Sequence, residues 1–299
     1  MTTTYGTLPV PGAKLCFKVR GEGPILLIVQ GGSGDADTPD RLAATLASEF
    51  TIVSYDRRGI SRSALSDPRQ AITVEQHADD AYELLAELSG KPAFVFGSSL
   101  GALIALDLAT RWPGRVQALL AHEPPALDLL TQAEQESFAA LRKGISEIAL
   151  REGTPAAARQ FLREMGVDRE DHEDDIEPPP SSRERSRNAD FVLTRESRAA
   201  DRFRLNLGAL KALGSKIIPA FGSSSRQCFP ARCAFALSAA LGREPCEFPG
   251  GHTGYVLRPR AFADALATAL RANAPCSSVH WIGAGAAPSG GSSGEQSAG

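Results

Sequence analysis

The stretch Phe94 to Leu106, FVFGSSLGALIAL, sets serines and glycines where an apolar run gives way to good helix formers. In GSSLG, Gly97 and Gly101 stand two before and two after Ser99, so the backbone can turn too tightly for side chains and present the Ser99 hydroxyl at its tip. The free N–H groups and dipole at a helix start favour the negative charge that develops on a reacting oxygen. A serine hydroxyl is a weak nucleophile and needs a base in hydrogen-bond reach, most often histidine. Of the five histidines, His77 lies among acids in a helical stretch, His172 in a charged stretch and His280 near the end; each reads as a surface residue. His122 closes ALLAHE as a core or rim residue. His252 stands apart, because EFPGGHTGY places it on a glycine-rich loop after a short strand and before the last helix; it is the candidate base.

Acyl transfer also needs donors for an oxyanion. In IVQGGSGDAD, Gly31, Gly32 and Gly34 let backbone N–H groups turn inward, and the N–H of Leu100, next after Ser99, is the second donor. A phosphate-cradling loop is the weaker reading, since no Lys-Ser/Thr follows and GxGxxG spacing is absent. Ser98 and Asp35 are further candidates for the pocket, although Asp35 could equally cap the following helix. Arg57 and Arg58 read as braces for loops, and Cys228 and Cys233 as packed small hydrophobes.

These residues need a scaffold. KLCFKV alternates and suggests a half-exposed antiparallel edge, while ILLIVQ, TIVSYD, AFVFG, VQALLAHE and KIIPAFG are the apolar runs of buried strands. Between them, RLAATLASEF, TVEQHADDAYELLAEL (with Thr73 as N-cap), the helix from Leu100, FPARCAFALSAALG and AFADALATALRAN have helical spacing. Strands alternating with such helices make an α/β protein with a mostly parallel sheet. The interval 124–213 breaks the rhythm and reads as an inserted helical cap between core segments 1–123 and 214–273. Within it, Asp168 to Asn188 reads as a solvated, mobile loop, and 274–299 as a disordered Gly/Ser/Ala-rich tail.

A chain of 299 residues with net charge −3 and no basic run has no electrostatic footprint for nucleic acid or an anionic membrane. The expected partner is a small molecule, with the protein acting as a monomer or homodimer. Five cysteines without CxxC spacing indicate neither zinc nor a disulfide framework, and no stretch approaches the roughly 18 apolar residues of a membrane span. With no leader-like start either, a cytoplasmic protein is expected.

Taken in order, QGGSGD, YDRRGISRS, GSSLG, HEPP and FPGGHTGY resemble the α/β-hydrolase superfamily over about Leu8 to Arg271, and within it small capped bacterial-type hydrolases, several of them in secondary metabolism. The resemblance implies a Ser99 nucleophile, a His252 base and oxyanion N–H groups from Gly32 and Leu100. One member departs from the pattern. Where the family usually carries an Asp after the strand IIPAFG, this chain has GSSSR, with Ser224 at that place. Some relatives place the acid after the preceding strand, where this chain has Glu123 followed by Pro124 and Pro125. Either Glu123 orients His252, or the site is a dyad or impaired, at a cost of several orders of magnitude in rate.

The expected activity is hydrolysis of an ester, lactone or thioester of a small organic substrate through an acyl-enzyme, with no metal or cofactor needed. The alternatives are non-hydrolytic or epoxide-opening chemistry on a biosynthetic intermediate in the same pocket, or a catalytically weak small-molecule-binding protein, for which Ser224 is the motive.

Overall fold

The computed structural model describes residues 2–180 and 182–273, and its organising feature is one nine-stranded sheet. The strands are β1 (Thr3–Val10), β2 (Ala13–Arg20), β3 (Ile25–Val29), β4 (Thr51–Tyr55), β5 (Ala64–Leu65), β6 (Ala93–Ser98), β7 (Val116–His122), β8 (Ile217–Gly222) and β9 (Cys246–Phe248). Their order is β1-β2-β4-β3-β6-β7-β8-β9, with β5 on β2. All neighbours from β4 to β9 run parallel, while β1 and β2 are antiparallel. The edge is therefore β1, and KLCFKV lies one strand further in. Alternation reports that one face is covered, not whether a strand has a partner on both sides.

The buried runs feed both faces. Leu27 and Val29 pack into one core with α2 (Val74–Leu88) and α3 (Leu100–Arg111), while Leu26 and Ile28 pack into another with α1 (Asp40–Leu46) and the last helix. A period-2 strand with apolar side chains at every position needs a layer on each side. The start of α2 is set as expected: Thr73 accepts from the Gln76 amide, and the Gln76 side chain returns to the Thr73 amide.

Between β7 and β8 the chain forms α4 (Gln132–Glu152), α5 (Thr154–Glu164), α6 (Arg183–Phe191), α7 (Ser197–Arg202) and α8 (Leu207–Ala212); a π-helical stretch, Val192–Glu196, joins α6 to α7. The remaining helices are α9 (Phe229–Leu241), α10 (Gly254–Leu257) and α11 (Pro259–Asn273). The tail expected to be disordered, 274–299, lies outside the described residues.

Asp168 to Asn188 departs from the solvated loop expected there. Glu173 accepts hydrogen bonds from the Arg260 and Ala261 amides at the start of α11, and its own amide bonds Leu257 O. Asp171 accepts from Arg258 Nε at 2.6 Å, and Asp175 from Arg260 Nη1 at 2.9 Å. Three acids of this segment, Asp171, Glu173 and Asp175, thus satisfy donors of a helix terminus and two arginines, partners that lie some 85 residues away in sequence.

Candidate active site

Because β3, β6, β7, β8 and β9 are parallel, the residues following them gather at one edge of the sheet. The strand order reverses between β3 and β6, and there the loop after β3 meets the turn after β6. A Cβ on Gly31 would lie 2.5 Å from Ser99 Cβ and 2.6 Å from Ser98 O, and one on Gly101 would lie 1.9 Å from Val29 O. Only glycine lets the two loops approach this closely.

Ser99 has φ 55° and ψ −126°. Among the described residues only Ser61, Ser99 and Glu123 are non-glycine with positive φ. Such backbone costs of order 1–3 kcal/mol and persists where the surroundings over-determine it. The Ser99 amide is tied to His122 O at 2.9 Å, and the Glu123 amide to Ala220 O at 2.9 Å, so both strained residues are anchored to the neighbouring strand.

Glu123 is fully buried and points across the strand ends. His252 Nδ1 lies 2.6 Å from Glu123 Oε2, while Oε1 accepts from the Gly222 amide at 2.9 Å and from Ser225 Oγ. Burial pushes this carboxyl upward, but the His252 hydrogen bond, the charges of the neighbouring imidazoles and the Ser225 hydroxyl pull it down to about 2. With Nδ1 as donor to Glu123, the lone pair of His252 is on Nε2. Ser224, where the family pattern has an acid, turns instead to Asp171, which accepts from its hydroxyl. The loop after β8 thus contributes hydrogen-bond donors to the acid carried by β7.

Ser99, Gly32 and His252 line two cavities that meet at these residues. Ser98 and Gly31 line the first; Leu100 and Glu123 line the second. Ser99 Oγ makes no hydrogen bond among the described residues, and neither do the amides of Gly32 and Leu100. Unliganded nucleophile-to-base contacts are commonly loose and tighten on substrate. Asp35 is absent from both cavity walls; its Oδ1 accepts from the Thr38 amide and hydroxyl, and Oδ2 from Ser61 Oγ. It fills neither expected role: α1 starts after Pro39 with no side-chain cap bond, and the carboxylate instead closes the turn before that helix, since a short carboxylate two or three residues before free amides bonds them first.

Two histidines differ from expectation or sharpen it. His77 is not on the surface but fully buried, with Nε2 3.1 Å from Glu196 Oε1. His122 is buried among the rings of Phe248, Phe262 and His252, and burial lowers its pKa to about 4, so it is neutral near pH 7. His172 is half-buried and bonds Glu173 O, while His280 lies outside the described residues.

Arg57 braces more than a loop. Its guanidinium donates to Gln30 O at 2.6 Å, to Gly32 O at 2.7 Å and to both oxygens of Glu196, and both side chains are buried. Burial favours the neutral form of Glu196, but Arg57 and His77 hold it down to about 2. Asn188 adds a hydrogen bond to Ser33 O at 3.3 Å. The loop carrying Gly31 and Gly32 is therefore fixed to the helical insert. The sequence offered Arg57 in YDRRG, but Glu196 lay in VLTRES with no pattern to mark it. Arg58 pairs with buried Asp80, and Cys233 is a buried free thiol that desolvation pushes up to about 12. No cluster of metal-ligating side chains occurs among the described residues, and no helix among them is long and apolar enough to cross a membrane.

The family model of the alpha/beta hydrolase fold matches residues 24–175. An uncharacterized hydrolase of Bacillus subtilis, YraK, is 39% identical over 282 residues, covering 89% of this chain and 96% of the relative. Among solved structures, a thermophilic esterase from Thermogutta terrifontis superposes with TM-score 0.65 at 19% identity over 92% of this chain and all of that one. One of a putative epoxide hydrolase from Pseudomonas aeruginosa gives TM-score 0.68 at 20% identity over 91% and 96%. The family match, the extent of the likeness to YraK and the shared sheet architecture establish that the chain belongs to the α/β-hydrolase family and is a hydrolase.

Proposed function

We propose that this hydrolase cleaves an ester, lactone or thioester of a small organic substrate through an acyl-enzyme formed on Ser99. The observation that carries this reading is the 2.6 Å contact of Glu123 with His252, in a pocket wall that also holds Ser99 on its strained turn. His252 Nε2 takes the Ser99 proton as Oγ attacks the carbonyl carbon; the carbonyl π pair moves to oxygen, which the Gly32 and Leu100 amides receive. Collapse expels the leaving group, which takes the proton from His252. Water, deprotonated by the same Nε2, then hydrolyses the acyl-enzyme. Glu123 remains ionised throughout and holds the imidazolium that forms in each half. The helical insert, 124–213, acts as a cap that walls the pocket through Phe138, Phe161 and Met165.

A serine at 224 favours a binding protein only if nothing else orients the base. Glu123 removes that motive. Ester chemistry is also preferred over epoxide opening, because the residue on the turn is a serine rather than a carboxylate.

The test is labelling with a fluorophosphonate probe and peptide mapping of the wild type and of Ser99→Ala, His252→Ala and Glu123→Gln. Labelling at Ser99 that disappears in His252→Ala and weakens in Glu123→Gln supports the mechanism. A folded wild type that does not label overturns it.

A further inference from the structure

The two cavities that meet at Ser99 differ in how their charges are disposed. In the one reaching towards α4, α7 and α9, every charged wall residue is already engaged by a neighbour. Glu123 is held by His252, Glu196 by Arg57, and Arg142 pairs with Asp201. The rest of its wall includes Leu127, Phe138, Val192, Ala200 and Phe229, so it presents an apolar chamber whose charged groups are already bonded. The other, bounded by the loop after β3 and by α10, carries two arginines, Arg169 and Arg185, and no Asp or Glu.

Arg169 is exposed and its Nη2 donates to Pro179 O at 3.2 Å. Arg185, on the first turns of α6, is half-buried, and its guanidinium has no hydrogen bond or ion pair among the described residues. On its outer side Arg185 also borders a hollow lined by Asp37, Asp40 and Glu177. Asp37 and Asp40 are engaged by Lys18 at 2.7 and 2.5 Å, and none of the three reaches Arg185 within ion-pair distance. A half-buried guanidinium with open donors beside an acid-free cavity is suited to a planar anion, which it receives in bidentate fashion.

We propose that the substrate joins an apolar part to a carboxylate-bearing part across the scissile acyl bond, and that Arg185 receives the carboxylate. This rests on the ester-hydrolase reading above and adds its substrate class. The apolar part fills the chamber walled by Phe138 and Phe229, and the anionic part lies beside Thr253 and Tyr255. Arg185 acts as a specificity determinant, remote from the bonds that change.

The test uses two matched pairs of aryl esters: a hemisuccinate against a butyrate, placing the carboxylate in the acyl part, and a 4-carboxyphenyl against a 4-carbamoylphenyl butyrate, placing it in the leaving group. We expect one pair to show a higher kcat/KM for the anion, and the ratio of anionic to neutral ester to fall about tenfold or more in Arg185→Gln, consistent with loss of a charge-assisted hydrogen bond. Arg185→Lys should keep part of the preference and Arg185→Glu should invert it. Added salt should also reduce it, as for a partly exposed charge. Ser99-dependent turnover of neutral esters, with no anion preference in either pair or a ratio indifferent to residue 185, overturns the inference and leaves the esterase reading standing. If no ester is hydrolysed, both fall.

Discussion

Glu123 Oε2 lies 2.6 Å from His252 Nδ1, although 129 residues separate the two in the chain. The carboxylate comes from the end of β7, and the loop after β8 only steadies it through the Gly222 amide and the Ser225 hydroxyl. Glu123→Gln should therefore lower kcat by roughly 10³–10⁴-fold with little change in KM, as loss of an orienting carboxylate does elsewhere. Adding Ser224→Asp to that variant should not restore activity, because position 224 is directed at Asp171 and a second carboxylate there meets a like charge. Recovery of turnover in the double variant would count against this placement of the acid.

Gly31 is packed against the turn that carries Ser99. Gly31→Ala forces a Cβ to within 2.5 Å of Ser99 Cβ. We expect a loss of about 1–3 kcal/mol of stability from the overpacking, seen in thermal melts. Turnover should fall by about 10²-fold, since the Gly32 amide and Ser99, the oxyanion donor and nucleophile proposed above, no longer keep their spacing. A folded Gly31→Ala enzyme with unchanged kcat would refute the assignment of the oxyanion loop.

Removing one member of the Arg57–Glu196 pair leaves a buried charge without its partner. Glu196→Leu should cost about 3–5 kcal/mol in chemical denaturation. Replacing both, Arg57→Met with Glu196→Leu, should recover most of that stability. Activity should stay low in the double variant, because Arg57 also holds the carbonyls of Gln30 and Gly32 at 2.6 and 2.7 Å. Full activity in the double variant would reduce the pair to a structural tie.

His122 is buried, with no hydrogen-bond partner for either ring nitrogen among the described residues, and burial holds its pKa at about 4. Its unfolded value is near 6.5, so below that pH the unfolded chain binds a proton that the folded one refuses. Stability then falls as pH drops from about 6.5 towards 4, by on the order of 3 kcal/mol. His122→Leu should flatten this part of the stability profile. Glu123 and Glu196 act at lower pH, since each is held at about 2 when folded. Their contribution is full above the ordinary carboxylate range and is lost as pH falls through it towards 2. A wild-type profile that is flat between pH 6.5 and 4 would contradict the buried neutral state of His122.

Short-range patterns in the sequence determined the elements and several site candidates. Continuous apolar runs such as ILLIV marked strands covered on both faces, the Thr73 and Gln76 pair marked a helix start, and GSSLG between a strand and a helix marked a tight turn. These signals are legible because they depend on residues within a few positions of one another. The sequence leaves open whether Glu123 or no carboxylate meets His252, since strand order and the direction of each side chain at the sheet edge decide it. The same holds for His77, which reads as a surface residue until Glu196 is brought to it from 119 positions further along. It holds too for Asp171, Glu173 and Asp175, a charge run whose partners at Arg258 and Arg260 appear only when α11 packs beside the insert. Ion pairs, buried polar partners and cavity walls join residues distant in the chain, and no local pattern encodes them; packing of the sheet against its insert brings them within reach.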